Sequence, residues 1–569
     1  MAVRVLHLAL ALAFGLGMAA CNPGQRVDTE PAASAPAPSQ TMVIVVRAEP
    51  LTIAAKVIAS GIGTAQATSQ RLFNGTLGIL DGDGVPRPYL AETLPQLGTD
   101  TWRVFPEGRM ETTHRLRPNL SWHDGTPLTA QDFVFAWRVY TAPQVGIATG
   151  SPQNLIAEVE APDPGTVVIQ WRRPYPNAAS LAEDQFPPLP RHVLQDAFER
   201  APEALANEPY WTREFVGLGP YRLTRWEPGA FIEGMAFDGH VLGKAKINRV
   251  KITFISDTSA ALANLLAEEA HFSTDSSIRF QEGVVLQREW SPRNGGTVLM
   301  RPGGFRGAWT QLRPDIVSPR ALLDLRVRKA LAHSTNRQDL NDALFEGLGI
   351  MSEAPFIQPT VSYFAEVDRA IAKYAYDPRI AEQLMADAGL RKGSDGVYVS
   401  ATEGRLHFDV KTLADTQREQ EMAVLANGWR QVGFDFGETT LVAARAGDNE
   451  ARATFPGLFT YSTGAGEYAL ANIVSSAIGS PENRWIGPNR VGWSNEQFDR
   501  LSTAFVDAVA PAERTRYISE MSRVFTEALP AIPLLFDLAT FAHTATLRGP
   551  RPAVAETPLA WNIHEWELR

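Results

Sequence analysis

Apolar residues along this chain recur in two rhythms. Residues 42–47 (MVIVVR) and 250–255 (VKITFI) are short runs rich in β-branched side chains, and residues 112–117 alternate polar with apolar positions. Both patterns predict strands. Other segments carry helical spacing. Thr129 stands three residues before Asp132, the interval of an N-cap followed by an acid in the first turn, and Phe133, Val134, Ala136 and Trp137 follow on one face. Residues 381–388 repeat the helical rhythm, residues 531–536 (AIPLLF) read as a late strand, and residues 561–568 read as a closing edge. Strands alternating with helices predict an α/β protein. Between two such elements, Asp81-Gly82-Asp83-Gly84 offers the positive φ angles of a tight turn; no third ligand or closing glutamate follows at calcium-loop spacing.

The amino terminus has a different character. Arg4 precedes an apolar run from Leu8 to Leu16, and Gly17, Met18, Ala19 and Ala20 lead into Cys21, then Asn-Pro-Gly. Nine apolar residues are too few to span a bilayer, so residues 1–20 are expected to be an export signal. Residues 21–40, dominated by Pro, Ala and Ser, bury too little to fold and are expected to form a tether. Among 569 residues Cys21 is the only cysteine, so disulfides are excluded and stability must come from buried apolar surface, for which 44% hydrophobic residues suffice. Net charge is −10, without a basic tract, which argues against nucleic acid and anionic lipid as partners.

Candidate chemistry is sparse. His123 and Asp124 are adjacent between turn residues, with no nucleophile elbow nearby, and the ten histidines include no HxxxH pair. With no Walker loop or metal motif either, catalytic, metal and cofactor sites are all expected to be absent.

Six segments in order carry a family resemblance. Residues 116–133 (LRPNLSWHDGTPLTAQDF) are similar to the signature of the extracellular solute-binding protein family 5, the peptide- and nickel-binding group of ABC importers. Residues 216–229 (VGLGPYRLTRWEPG), 258–270, 325–337, 376–389 and 492–501 resemble its later segments, with Leu218 departing from the family's GTGPY. The resemblance implies a periplasmic-binding-protein-like II fold: two α/β lobes with a hinged ligand cleft, built from three discontinuous domains. The first is expected at 41–78, 216–300 and 528–569, the second at 79–215 and the third at 301–527. Cys21 sits as in a bacterial lipoprotein box, implying lipidation and a periplasmic or outer-face location. The implied function is capture of an oligopeptide or peptide-like solute by a monomer that delivers it to membrane permease subunits. Sensing or chaperoning is the alternative.

Family members that bind peptides hold the ligand ammonium with an aspartate after an aromatic-glycine run. The matching stretch here, residues 458–468 (LFTYSTGAGEY), has none, which leaves Glu467, near Tyr461, as the candidate. Residues 301–309 (RPGGFRGAW) read as a loop presenting Arg301, Arg306 and Trp309, whose guanidinium groups are suited to a ligand carboxylate. Trp485 and Trp493 are candidates for an apolar wall.

Overall fold

The computed structural model describes residues 41–56, 67–145 and 151–569; Cys21, the export signal and the tether lie outside them. Ten strands form the main sheet: β1 (Thr41–Val46), β2 (Tyr221–Glu227), β3 (Phe231–Ala236), β4 (Arg249–Phe254), β5 (Phe272–Ser273), β6 (Gly296–Thr310), β7 (His407–Leu413), β8 (Asp435–Leu441), β9 (Leu458–Thr463) and β10 (Ala531–Thr544). Their spatial order is β8-β7-β9-β6-β10-β5-β1-β4-β3-β2. β1 lies parallel to both β4 and β5, and its two faces enter two cores, Met42, Ile44 and Val46 on one side and Val45 on the other, which explains its nearly unbroken apolar sequence.

β6 and β10 are the two long strands, and they run from one half of the sheet into the other. Gly296–Pro302 of β6 pair with Leu538–Thr544 of β10 beside β5, whereas Phe305–Trp309 pair with Ala531–Phe536 and, on the other edge, with β9. The register breaks between Pro302 and Phe305. Residues 301–309 are therefore strand, not the loop that Pro302 and the glycines led us to expect. Proline lacks a ladder donor and glycine tolerates a bulge, so the break falls where both occur, while pairing on either side holds the rest extended. At Gly304 a Cβ would stand 2.7 Å from the Thr463 carbonyl oxygen, a close approach only glycine permits.

Residues 79–215 hold a separate antiparallel sheet of Trp102–Val104, Met110–Arg115, Thr166–Trp171 and Ile156–Asp163. Its inner face packs Met110, Val167, Ile169 and Trp171 against helix Ala130–Thr141. Each large apolar side chain buried there contributes about 1.5–3 kcal/mol. The expected cap forms: Asp132 Oδ2 accepts from Thr129 N at 2.8 Å.

The signature segments have structural duties. Gly217 N donates to His123 Nδ1 (3.2 Å), and His123 Nε2 lies 3.0 Å from the Gly219 carbonyl oxygen. The imidazole thus stitches two loops, and burial pushes its pKa down to about 4, so it stays neutral. Phe73 O accepts from both Leu218 N and Gly219 N. A Cβ on Gly217 would lie 2.0 Å from that same oxygen, which is why the segment carries glycine. Asp81 Oδ1 accepts from Asp83 N and Val85 N, forming the expected turn.

Candidate ligand cleft

Where β6 and β10 change halves they floor a cleft of about 540 Å³. Its walls come from both halves. Thr274, Asp275, Arg279 and Phe541 face Asp415, Gln417, Arg418 and Ser462, and Glu556 joins from the carboxy-terminal segment. The position follows from topology. β7, β8 and β9 are mutually parallel, and Asp415 and Gln417 begin the helix Thr416–Val432 just past the end of β7. The carboxyl ends of parallel strands are where open α/β sheets place ligands.

The halves also meet directly. Arg279 Nη1 stands 3.6 Å from Asp415 Oδ2, and the rings of Phe280 and Phe345 cross edge-on at 5.3 Å. Farther out, Arg173, just past the strand Thr166–Trp171, lies 3.8 Å from Asp507 at the end of the helix Glu496–Asp507.

Two of the seven ligand residues expected from sequence, Arg301 and Arg306, line this cleft. Both are engaged by the protein. Arg301 Nη1 donates to the carbonyl oxygens of Val554 (2.6 Å) and Thr557 (3.0 Å), tying the carboxy-terminal segment to β6. Arg306, only 2% exposed, donates through Nε to Glu421 and through Nη1 to Asp537, each at 2.6 Å. Ser462 Oγ completes the group by donating to the other oxygen of Asp537.

The structure does not bring the other five to the cleft. Trp309 is fully buried and stacks on Tyr461 at 5.1 Å with ring planes 11° apart, in the core on the opposite face of the sheet from Arg306. Trp493 packs on Phe498 and Phe525 in the same core. Trp485 lies beneath the guanidinium of Arg313, which donates to the carbonyl oxygens of Gly479 and Arg490. Glu467 opens the short helix Glu467–Ala471, and its Oε2 accepts from Arg514 Nη2 at 2.6 Å. Asp275, Arg279, Asp415, Arg418 and Glu556 were not anticipated. For the first four the signal is position, just past a strand end or at a helix start, whereas Glu556 lies in an irregular segment.

Asp275 is the most perturbed acid of the cleft. Burial pushes its carboxyl up to about 6, against opposing hydrogen bonds from nearby hydroxyl groups. Burial likewise pulls the Arg301 guanidinium down.

Sequence comparison identifies the family, and solved structures share the fold. The family profile described as "Bacterial extracellular solute-binding proteins, family 5 Middle" matches residues 92–480. A Brucella ovis protein named as an ABC transporter peptide-binding protein is 27% identical over 285 residues, 48% of each chain, so this chain matches about half the length of that group of curated relatives. The glutathione-binding protein GsiB of Salmonella typhi is 24% identical over 489 residues, covering 85% of this chain and 87% of that one. Two solved structures share the fold. NikZ from Campylobacter jejuni, in complex with Ni(L-His), has a TM-score of 0.70 at 21% identity, covering 93% of this chain and all of that one. The oligopeptide-binding protein of Thermus thermophilus, complexed with a pentapeptide, has the same score and identity and covers 93% and 96%. With a family profile spanning more than half its length, and with the ordered motifs in place, this chain belongs to the bacterial extracellular solute-binding protein family 5.

Proposed function

We propose that this chain is the solute-capturing component of an ABC importer, taking an oligopeptide or peptide-like solute into the cleft and delivering it to a membrane permease. The observation that carries this reading is the crossing of β6 and β10. The cleft has one wall in each half, and the halves are joined in the sheet through these two strands, with a register break at Pro302–Phe305 in the middle. A solute touching both walls gains contacts in the closed form that the open form cannot offer, so binding shifts the population toward closure. The permease then reads the closed shape.

A cleft of about 540 Å³ falls in the ~300–1,000 Å³ range of small-molecule sites and suits a short peptide-like solute. The naming of relatives as peptide-binding and glutathione-binding proteins supports the same class. Export through residues 1–20, lipidation of Cys21 and action as a monomer beside the membrane complete the proposal. Nothing in it needs bond-making residues.

Native mass spectrometry of the freshly purified protein tests it. The expected result is one small solute per chain, released chemically unchanged. Steady conversion of the solute would show an enzyme instead.

A further inference from the structure

Four carboxylates line the cleft: those of Asp275, Asp415, Asp537 and Glu556. Two are already paired, Asp415 with Arg279 at 3.6 Å and Asp537 with Arg306 at 2.6 Å. Among the described residues Asp275 and Glu556 form no ion pair, and their settings differ. Glu556 is exposed, whereas Asp275 is half-buried in the cleft wall.

Asp275 stands just past β5, at the carboxyl end of a strand parallel to β1. Its Oδ2 accepts from Ser69 Oγ at 3.4 Å, and the hydroxyls of Thr68 and Thr274 also hydrogen-bond to it. Its direct partners are therefore hydroxyl groups. Arg301 acts on it only through space, with Nη1 spent on the carbonyl oxygens of Val554 and Thr557. Arg47, just past the end of the neighbouring strand β1, lines the cleft without pairing with it. The backbone here is unusual as well. Asp275 and Ser276, both in the cleft lining, take φ of 50° and 60° in succession, the left-handed region that residues other than glycine rarely adopt. Such conformations cluster at ligand-holding sites, where the surrounding structure maintains them.

With its carboxyl raised to about 6, Asp275 is ionised at neutral pH. A desolvated carboxylate that lacks a direct cation is costly, and a cation brought in by the solute offsets that cost. We infer that Asp275 seats an amino group of the captured solute, so that the solute enters with its cationic end toward the half of the sheet that holds β1 and β5, not toward Glu467. This inference rests on the capture reading above. An ammonium group has donors enough for both the carboxylate and the hydroxyl oxygens beside it. The amine is supplied either by a peptide's amino terminus or by a lysine side chain.

The test uses the full chain, stripped of co-purified solute, and a pool of short peptides from exhaustively digested casein. One portion is untreated and the other is acetylated to cap every amine. The expected result is capture of the untreated pool and loss of the acetylated pool by about tenfold or more. Asp275→Asn should lower capture of the untreated pool by about tenfold and bind the acetylated pool as the parent does. Asparagine keeps the size of the side chain, tolerates the left-handed backbone and removes a desolvated charge, so the variant should melt no lower than the parent. Sequencing the captured peptides separates the two sources: enrichment in Lys marks a side chain, and no enrichment marks the terminus. Equal capture of the two pools by the parent, or a variant that captures the untreated pool as well as the parent, overturns the inference while leaving solute capture intact. Capture of neither pool removes the peptide reading itself, and the inference with it.

Discussion

Replacing Arg306 separates a structural cation from a ligand contact. Its guanidinium joins three elements: it lies on β6, donates to Asp537 on β10, and donates to Glu421 and Gln417 on the helix Thr416–Val432. Arg306→Met keeps much of the bulk and leaves Glu421, only 1% exposed, without its hydrogen-bonded cation. Removing one member of a buried pair costs about 3–5 kcal/mol, because the survivor's charge stays uncompensated. Asp537, a third exposed, recovers part of its solvation and adds less. Deleting both charges in Arg306→Met/Glu421→Leu should restore most of the loss, giving a coupling of about 2–4 kcal/mol. Urea unfolding followed by tryptophan fluorescence measures this cycle, with the buried Trp309 and Trp429 as reporters. If Arg306→Met cost less than about 1 kcal/mol and instead abolished solute binding, Arg306 would be a ligand contact and the structural account of it would fail.

Further outcomes follow from other sites. Gly219→Ala would drive a methyl group to 2.5 Å from the Leu72 carbonyl oxygen, so it should destabilise by about 2 kcal/mol or more, read as a fall in melting temperature; a neutral result would refute the close approach. For Asp275 the folded value of about 6 stands above the ordinary 3.8, so its contribution favours folding at low pH and is lost as pH rises through about 6. Asp275→Asn should therefore gain up to about 3 kcal/mol near pH 8 and nothing near pH 4, and parallel stability-pH curves for parent and variant would contradict the burial of that carboxyl. Cys21→Ser should release the protein from membranes in a fractionation assay while its solute affinity stays unchanged; a variant that still sediments with membranes would argue against the lipid anchor.

What the sequence made legible was local. The cap at Thr129 and Asp132, the turn at Asp81, the strands around residues 42–47 and 250–255, and the glycine segment at 217–219 are all set by short-range chemistry, and each is present. The α/β fold and the family followed from those pieces in order. Side-chain destination was not legible. Trp309 and Arg306 sit three apart on one strand, so alternation sends them to opposite faces, one into the core and one to the cleft. Treating residues 301–309 as a loop hid that alternation. Tyr461 and Trp493 were drawn to a core by their apolar area, the usual fate of large aromatic residues, and Glu467 was claimed by Arg514, 47 positions away.

Closure on the solute is the central claim, and distance across the cleft tests it most directly. Spin labels at Glu199 in the helix Arg191–Arg200 and Glu496 in the helix Glu496–Asp507, introduced as cysteines in a Cys21→Ser background, report it by pulsed electron resonance. Both positions are exposed. Solute-free protein should show a broad, longer distance distribution, and solute-loaded protein a single shorter one, with occupancy verified by native mass spectrometry on the same sample. Identical distributions with and without bound solute would contradict capture by closure.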